Sequence, residues 1–345
     1  MPRPFGIALV GCGMAAGPHA RALKDLSAQI SVRGVFARSA TRRAAFAAAH
    51  GFREAESLEA LAADPAVDAV LIITPPNARA DIVRLFAEAG KHVLSEKPLE
   101  RTAVAAKEIV SICEAAGVQL GVVFQNRFRH AYEVLAAQLT AGDFGAVRVV
   151  AVEVPWWRDQ ACYDEPGRGT YARDGGGVLI SQAIHTLDLM LSLTGPATQV
   201  QVQALCATTA FHRMEAEDYA TAGLRFASGA VGHLVATTAS YRGGAESIRL
   251  ECDRASLRLQ GGVLDILWRD GKAEQVGEPA LSGGGADPMA FPADWHRALI
   301  SDFAASIQAG RAPRVTGRQA LDVQRLISAI ETSSAVGRAI NIDTE

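Results

Sequence analysis

The stretch FGIALVGCGMAA, residues 5 to 16, decides the fold of this chain. An apolar run leads directly into Gly11, Gly13 and Ala16, which stand at G-x-G-x-x-A spacing where a strand would turn into a helix. The first glycine permits a tight turn, the second lets a pyrophosphate approach the backbone at a helix N-terminus, and the small third residue keeps helix and strand close. The alternative is a tight turn that holds no ligand. We favour a dinucleotide-binding unit, because further strand-helix units follow.

The chain up to Gln125 continues this alternation of short apolar runs and Ala-rich amphipathic segments. Further strands are predicted at 30–37, 67–74, 91–96 and 118–124, and helices near 14–27, 39–50, 77–89 and 101–116. The apolar residues of the run 67–74 are continuous rather than alternating, which is typical of a parallel strand covered on both faces. Residues 1–125 are therefore predicted to form a Rossmann domain, an α/β fold with a doubly wound parallel sheet.

The pattern changes after Arg127. The segments predicted there are a helix at 130–141, a strand at 146–154, an irregular stretch at 155–176, a helix at 177–193, and β-type runs at 198–209, 217–226, 229–239, 246–252 and 255–260. A Gly-rich loop at 277–288 leads to two helices, near 292–309 and 317–336. This succession predicts a second domain, residues 126–345, of the α+β type with a mostly antiparallel sheet, whose C-terminal helices can pack back on the first domain.

The composition limits the possible partners. The 345 residues are 49% hydrophobic, enough for a buried core in each of two domains. With 34 basic and 37 acidic residues the net charge is -3, which offers no basic field for nucleic acid. Five scattered cysteines without a CxxC pair indicate neither disulfides nor a metal site, and no apolar stretch approaches the ~20 residues of a membrane helix. We expect a cytoplasmic protein that binds a small molecule and no metal, nucleic acid or membrane.

The end of the second predicted strand bears on the choice of cofactor, because a carboxylate there would bind the ribose diol of NAD. The sequence has Arg38, Ser39, Thr41 and Arg42 at this point and no acid. Arg38 can pair with a 2'-phosphate, and the hydroxyls lie at the start of a helix whose dipole favours an anion. We favour NADP. The alternative is NAD bound without a diol-holding carboxylate, with arginines that only solvate a helix face.

Two candidate catalytic residues stand in different halves of the chain. Lys97 follows the fourth predicted strand, and ligands of open α/β sheets lie beyond the carboxyl ends of the strands. A lysine near an oxidised, cationic nicotinamide can donate a hydrogen bond to substrate or exchange a proton near neutral pH; the alternative is an exposed lysine in a salt bridge. His185 follows three glycines, which allow close approach of a ligand or of another backbone. Ser181, His185 and Asp188 are predicted on one helix face, although a single helical histidine is more often a structural residue.

Together these motifs resemble the glucose-fructose oxidoreductase / inositol dehydrogenase (Gfo/Idh/MocA) family. The resemblance rests on the G-x-G-x-x-A turn, Glu-Lys-Pro at 96–98, Thr-Pro-Pro-Asn at 74–77, and the glycine run followed by His185. It covers nearly the whole chain. It implies an N-terminal Rossmann domain, a C-terminal domain with an open, mostly antiparallel sheet that often forms a homodimer or homotetramer interface, NAD(P) as cofactor, and usually a sugar or cyclitol as substrate.

Carried over residue by residue, the resemblance implies that Lys97 contacts the reacting hydroxyl or carbonyl and that His185 is the catalytic histidine. Ser181 departs from the pattern, since many members have Asp there and a serine lacks the charge to hold an imidazolium. Arg79, where many members have His, is a lesser departure. The predicted cofactor-binding residues are Gly11, Gly13, Met14, Ala16, Ala37, Arg38, Ser39, Arg42, Thr74, Pro75, Asn77, Glu96, Lys97 and Gln125.

The stretch Trp156 to Tyr163 suits a polyhydroxylated ligand, because aromatic faces pack on sugar C–H groups while Arg and Gln donate to oxygens. Arg158, with Arg168 and Arg173, favours an acidic sugar. The alternative is a packed loop that covers a sheet edge. The predicted substrate-binding residues are Lys97, Arg127, Trp157, Arg158, Tyr163, Ser181, Gln182 and His185.

These observations favour an NAD(P)-dependent oxidoreductase that transfers a hydride between nicotinamide and a hydroxyl or carbonyl carbon of a sugar, sugar acid or cyclitol. Two alternatives stay open: an NAD-assisted enzyme of the same fold that cleaves glycosidic bonds, and a non-catalytic dinucleotide-binding sensor. Net turnover of free cofactor distinguishes the first hypothesis from the glycoside-cleaving enzyme, and the presence of both Lys97 and His185 argues against the sensor.

Overall fold

The computed structural model describes residues 3–279 and 293–342. They form two compact units: unit 1 comprises residues 3–125 and 293–321, and unit 2 comprises residues 126–279 and 322–342. Segment 293–321 thus belongs to unit 1, whereas the predicted boundaries placed it in the second domain and allowed its helices to pack back on the first. Within the described ranges, every helix is too short or too polar to cross a membrane.

Unit 1 is built on a parallel sheet. Its strands are β1 (Phe5–Val10), β2 (Ile30–Phe36), β3 (Ala69–Ile72), β4 (His92–Ser95) and β5 (Leu120–Val122). They lie in the order β2-β1-β3-β4-β5, and each neighbouring pair is parallel. Every residue of β1 and β3 is buried, as expected of strands covered on both faces. The predicted Rossmann sheet is confirmed.

Helices connect these strands. They are α1 (Ala16–Asp25), α2 (Ala40–His50), α3 (Leu58–Ala63), α4 (Ala80–Glu88) and α5 (Ala103–Ala115). The side chains of Ser39, Ser57 and Thr102 cap α2, α3 and α5 by accepting backbone N–H groups of the first turn. The helix α3 was not predicted, because six residues are too few to display a helical period.

Unit 2 carries a large sheet. Its strands are β6 (Val147–Pro155), β7 (Val200–Ala207), β8 (Tyr219–Phe226), β9 (Val231–Thr237), β10 (Ser247–Cys252), β11 (Ala255–Gln260), β12 (Val263–Trp268), β13 (Ala273–Gly277) and β14 (Ile340–Asn341). The order in the described sheet is β13-β12-β11-β10-β6-β9-β8-β7-β14. Only β6 and β9 pair in parallel among these strands, so the mostly antiparallel sheet is confirmed. The strands β12, β13 and β14 were not predicted.

The helices of unit 2 begin with α6 (His130–Ala141) and the short α7 (Gln160–Tyr163). A π-helical turn, Leu179–Ala183, runs directly into α8 (Ile184–Thr194). Two further helices follow: α9 (Asp294–Gln308), which packs on α1 in unit 1, and α10 (Gly317–Val336). Most of the Gly-rich loop predicted at 277–288 lies outside the described residues.

Candidate active site

The turn between β1 and α1 has the shape of a phosphate cradle. Gly11 adopts a φ of +110°, and a Cβ added there would lie 2.8 Å from the carbonyl carbon of Ile73 and 2.9 Å from the nitrogen of Thr74. The turn therefore requires glycine. A Cβ added at Gly13 would meet nothing within 4 Å, whereas Ala16 is fully buried where helix and strand meet. The backbone at Gly13 is thus open to an anion at the helix N-terminus.

Two polar atoms that follow strands of the same parallel sheet support a bound ligand. Thr74 Oγ1, at the carboxyl end of β3, and Gln125 Oε1 are buried and have no hydrogen-bond partner among the residues that the structure describes. A buried polar group without a partner is costly, and a bound dinucleotide would relieve that cost. Met14, Pro75 and Asn77 are exposed. The residues present therefore fit a dinucleotide.

The end of β2 offers two available cations. Ser39 Oγ accepts the Arg42 N–H at 3.3 Å, so the predicted hydroxyl serves as the cap of α2. Arg43 is bound to Glu54 at 3.0 Å. The exposed side chains of Arg38 and Arg42 have no carboxylate partner within residues 3–279 and 293–342. An anion such as a 2'-phosphate would find both arginines unpaired.

Glu96 fixes the main chain beside Lys97. Glu96 Oε2 accepts the backbone N–H of Lys97 at 3.0 Å, and Oε1 lies 2.8 Å from His19 Nε2. Burial alone would raise the pKa of Glu96, but the hydrogen bond and charge of His19, with the neighbouring His296 and Lys97, lower that pKa to about 2. Glu96 is therefore an anion at neutral pH, held next to the candidate lysine.

A buried cluster of His19, Glu96 and His296 lies in unit 1. One ligating atom from each residue lies within 4.8 Å of the others, and the two imidazole rings meet edge to face at 4.7 Å. Burial, and then the nearby His19, lower the pKa of His296 to about 3, so its ring is neutral. These residue types can bind a divalent metal. Both carboxylate oxygens of Glu96 already have a hydrogen-bond partner, the backbone N–H of Lys97 for one and His19 for the other. We therefore interpret the cluster as a hydrogen-bonded support for Lys97.

Arg79 is a site residue that the sequence pattern marked only as a departure from the family. It is buried and donates from Nε and Nη2 to the carbonyl oxygen of Thr74, at 2.9 and 2.7 Å. Its Nη1 donates to the carbonyl oxygens of Glu96 and Pro98. Burial lowers the pKa of Arg79 to about 10, against the raising effect of Glu96 and Glu100, so it stays cationic at neutral pH. Arg79 thus ties the ends of β3 and β4 together.

The helix that carries His185 exposes few side chains. Between residues 175 and 191, only Ser181, Gln182 and His185 are half-buried, and all the others are buried. Ser181 Oγ donates to the carbonyl oxygen of Gly177 at 2.5 Å and also lies close to the side-chain oxygen of Gln182. The π turn widens the helix at this point, a feature that is frequent at functional sites. Three predicted substrate residues are thus brought together on one accessible patch.

Asp188 does not share that patch, which corrects the predicted helix face. Asp188 is fully buried, whereas His185, three residues before it in α8, is half-buried. Its carboxylate accepts hydrogen bonds from Arg127 Nε at 2.8 Å and Nη2 at 2.6 Å. Burial raises the pKa of Asp188, and the charge of Arg127 opposes that rise. The charge of Arg127 is therefore neutralised inside unit 2, and its predicted contact with substrate stays a prediction.

The stretch 156–163 is a loop that ends in α7, and two of its rings, Trp157 and Tyr163, are half-buried. Trp157 is half-buried and meets Phe211 and Tyr241 edge to face at 5.7 and 5.3 Å. Arg158 is buried and donates to the carbonyl oxygen of Trp157 at 2.8 Å. Tyr163 hydrogen bonds through its hydroxyl to Thr238 Oγ1 at 2.7 Å. Trp157 is thus the ring of this loop best placed to meet a sugar.

Two of the three arginines that favoured an acidic substrate, Arg168 and Arg173, are paired with carboxylates. Arg168 lies 3.4 Å from Glu165 and 4.0 Å from Asp174. Arg173 lies 3.7 Å from Glu165 and 3.8 Å from Asp174. Since their charge is compensated within the loop, these arginines do not favour an acidic sugar over a neutral one.

Comparisons with known proteins agree with this geometry. Residues 5–124 match the family model described as "Oxidoreductase family, NAD-binding Rossmann fold", and residues 132–258 match the "GFO/IDH/MocA C-terminal domain". D-xylose 1-dehydrogenase (NADP(+)) 2 of Haloferax volcanii is 31% identical over 297 residues, covering 83% of this chain and 84% of that protein. D-apiose dehydrogenase of Paraburkholderia graminis is 27% identical and covers 98% of this chain and 90% of its own.

A solved structure of similar fold is the WlbA dehydrogenase from Bordetella pertussis in complex with NADH and UDP-GlcNAcA. It is 29% identical with a TM-score of 0.84, and the match covers 99% of this chain and 100% of that one. Both halves of the chain therefore match one family, and a relative above 30% identity extends over most of its length. The chain belongs to the Gfo/Idh/MocA family of NAD(P)-binding oxidoreductases.

Proposed function

We propose that this protein oxidises or reduces a neutral sugar or cyclitol with NADP, and that Lys97 and His185 act on the reacting oxygen of that substrate. The relatives named above are sugar dehydrogenases of the same family, and an inositol 2-dehydrogenase of Rhizobium meliloti is 28% identical over 189 residues. The chain is an NAD(P)-dependent sugar or polyol oxidoreductase. The roles of the two residues, the cofactor preference and the neutral substrate are each supported by contacts and charges within one unit.

The observation that carries the proposal is the setting of Lys97. It follows β4, at the same edge of the parallel sheet as the cradle of Gly11 and Gly13, where α/β folds bind their ligands. Glu96 fixes its main-chain N–H, and Arg79 fixes the carbonyl groups on both sides. A lysine held in this way can donate a hydrogen bond to the substrate oxygen and stabilise the alkoxide that develops on it.

His185 accepts the hydroxyl proton during oxidation and returns it during reduction. An imidazole suits this exchange, because its ordinary pKa is near neutral pH. Ser181 and Gln182 share its accessible patch and have the hydroxyl and amide groups that bind neighbouring sugar hydroxyls. The bound nicotinamide supplies the hydride acceptor or donor.

The preference for NADP is supported by Arg38 and Arg42, exposed cations without a carboxylate partner in the described chain. The relative from Haloferax volcanii is named for NADP(+). A neutral substrate is supported by the pairing of Arg127, Arg168 and Arg173 with carboxylates.

A substrate screen tests the proposal. Neutral sugars, sugar acids and inositols are offered with NAD and with NADP, and the absorbance of the reduced nicotinamide is followed. We expect turnover of a neutral compound, faster with NADP, and a loss of at least ~100-fold in Lys97→Met. Lys107→Met, an exposed lysine of α5, is the matched control and should leave turnover unchanged. Normal turnover in Lys97→Met, or no turnover with any compound, would contradict the proposal.

We also propose a cytoplasmic homodimer or homotetramer formed through the sheet of unit 2. Val149, Val231 and Leu267, on β6, β9 and β12, expose 38%, 49% and 55% of their surface, which supports an interface on this sheet. Light scattering after gel filtration tests the assembly, and a monomeric mass at working concentration would contradict it.

A further inference from the structure

The dipeptide Glu217-Asp218 directly precedes β8 and is buried at both positions, with exposures of 5% and 0%. Buried carboxylates are costly unless hydrogen bonds compensate them. Here each carboxylate is bound in a different part of unit 2. The partners of Glu217 lie at the start of the helix that carries His185, and those of Asp218 hold the loop that carries Trp157 and Tyr163.

Glu217 binds the start of the π turn and of α8. Its Oε2 accepts the N–H of Gly177 and its Oε1 accepts the N–H of Leu179, both at 3.0 Å. The N–H of Val178 between them donates to the Glu217 carbonyl oxygen at 2.8 Å. The first N–H groups of a helix have no partner within the helix, and an anion is favoured there. One residue therefore satisfies three consecutive N–H groups at this helix end.

Gly177 shows how close this contact is. A Cβ added at Gly177 would lie 1.7 Å from the Glu217 carbonyl oxygen and 2.7 Å from its Oε2. No residue with a side chain fits without moving one of the two segments. The close approach that the glycine run predicts is therefore, at Gly177, the approach of another backbone, and its effect is to fix the helix start against Glu217.

Asp218 acts on the loop through His212. Its Oδ2 lies 2.7 Å from His212 Nδ1, and Thr209 donates to the same carboxylate from its N–H and its hydroxyl. His212 Nε2 lies 2.8 Å from the carbonyl oxygen of Arg158. A carbonyl oxygen can only accept, so Nε2 donates to Arg158, and the ring connects that carbonyl to Asp218 through Nδ1. The ring also contacts Tyr163, with centroids 4.9 Å apart.

We infer that Glu217-Asp218 is a positioning element for this enzyme: Glu217 sets the helix of Ser181 and His185, and Asp218, through His212, sets the loop of Trp157. This inference rests on the proposed function. Proton exchange at His185 depends on geometry at the scale of ~1 Å, so a shift of the helix start lowers kcat. A shift of the loop weakens the contact with substrate and raises KM.

Glu217→Gln tests the first half. The glutamine side chain keeps the shape of the glutamate, but its NH2 group faces one of the backbone N–H groups. Both groups are donors, so one of the two hydrogen bonds is lost. We expect kcat to fall about tenfold, with KM and the dissociation constant of NADPH within about twofold of wild type. Glu215→Gln removes the same charge at an exposed site two residues earlier. It should leave kcat, KM and the dissociation constant of NADPH unchanged. If Glu217→Gln does not fold, Glu217→Asp is measured against the same criterion.

A pair of His212 variants tests the second half. The Asn side chain can place its nitrogen near the site of Nδ1 and keep the bond to Asp218, whereas Gln can place it near Nε2 and keep the bond to Arg158. Each variant keeps one bond and breaks the other, so both interrupt the connection from Asp218 to Arg158, and we expect each to raise KM about tenfold with kcat little changed. A purely structural role of His212 predicts that kcat falls as much as KM rises, and that result, or an unchanged KM in both folded variants, would overturn the inference.

His185→Ala, assayed beside these variants, separates the two proposals. No turnover in wild type, or normal turnover in His185→Ala, means that the proposed function is wrong. If wild type and His185→Ala behave as proposed but folded Glu217→Gln keeps its kcat and His212→Asn keeps its KM, then only the positioning role is wrong. Thermal unfolding and circular dichroism establish that each variant is folded.

Discussion

Arg79 holds the main chain on both sides of Lys97, because its Nη1 donates to the carbonyl oxygens of Glu96 and Pro98. The same guanidinium donates to Thr74, so the chain leaving β3 and the chain leaving β4 share one buried cation. A planar group with several donors suits carbonyl groups that face it from different directions. The conformation of the Lys97 segment thus depends on a residue outside the motif that makes the lysine conspicuous.

Arg79→Met should lower both stability and turnover. The substitution leaves the carbonyl oxygens of Thr74, Glu96 and Pro98 without their donor, and we expect the free energy of unfolding to fall by about 3 kcal/mol. Urea unfolding measures this loss. Arg84→Met is the control, since Arg84 forms an exposed ion pair with Glu108, and it should cost less than about 1 kcal/mol. Equal losses in the two variants would contradict the role of Arg79.

The charge of Glu96 should stabilise the protein at neutral pH. The pKa of Glu96 in the folded protein, about 2, lies below its ordinary value of 4.5. The stabilisation is therefore present above pH 4.5 and is lost as the pH falls from 4.5 towards the folded pKa. Glu96→Gln should therefore cost on the order of 2 kcal/mol at neutral pH and progressively less on acidification. Unfolding at a series of pH values measures the difference. Glu56→Gln, an exposed control, should show no such trend.

Some elements of the fold were predictable because composition alone decides their burial. The strand predicted at 5–10 coincides with β1, and the apolar run 67–74 contains β3. Very short elements escaped: α3 has six residues and β14 has two, which are too few for a period to be recognised. The residues of β13 are all exposed or half-buried, and the strand joins the sheet through backbone pairing with β12.

The candidate site was predictable only where its signal is local. Gly11 and Gly13 belong to one turn. Glu217, by contrast, lies 40 positions from Gly177, and His19 lies 77 positions from Glu96. Such contacts depend on how distant segments fold together, and no periodicity indicates them. The π turn was missed for a related reason, since the side-chain pattern around Ser181 fits an α-helix equally well.

Arg38→Ala and Arg42→Ala should weaken binding of NADP selectively. Each removes a cation without a carboxylate partner in the described chain, so we expect KM for NADP to rise about tenfold while KM for NAD stays nearly constant. Steady-state kinetics with both cofactors checks this. Arg53→Ala, an exposed arginine of the same unit, is the control. Parallel loss for both cofactors would mean that the two arginines bind a group common to NAD and NADP.

Glu331 should make the protein less stable in alkali. Burial, and then the charge of Glu217, raise its pKa from 4.5 to about 8. The folded state therefore binds this proton more tightly than the unfolded state, and stability falls as pH rises from the ordinary value through the folded one. The free energy of unfolding of Glu331→Gln should equal that of wild type at about pH 4.5 and should exceed it by on the order of 2 kcal/mol above about pH 8. Unfolding is measured across this pH range for wild type, for this variant and for the exposed control Glu88→Gln. A stability gain of Glu331→Gln over wild type that falls as pH rises would contradict the assignment.

Variants of the Arg127–Asp188 ion pair can distinguish a structural role of Arg127 from a direct contact of Arg127 with substrate. Both partners are buried, and removal of one leaves a buried charge uncompensated, so Arg127→Met should cost about 3 kcal/mol or more. Replacement of both, in Arg127→Met with Asp188→Leu, should recover much of that stability because no charge is then left unpaired. If the double variant also recovers KM for the sugar, Arg127 acts through the fold of unit 2. A KM that stays high in a double variant of restored stability would instead favour the predicted contact between Arg127 and substrate.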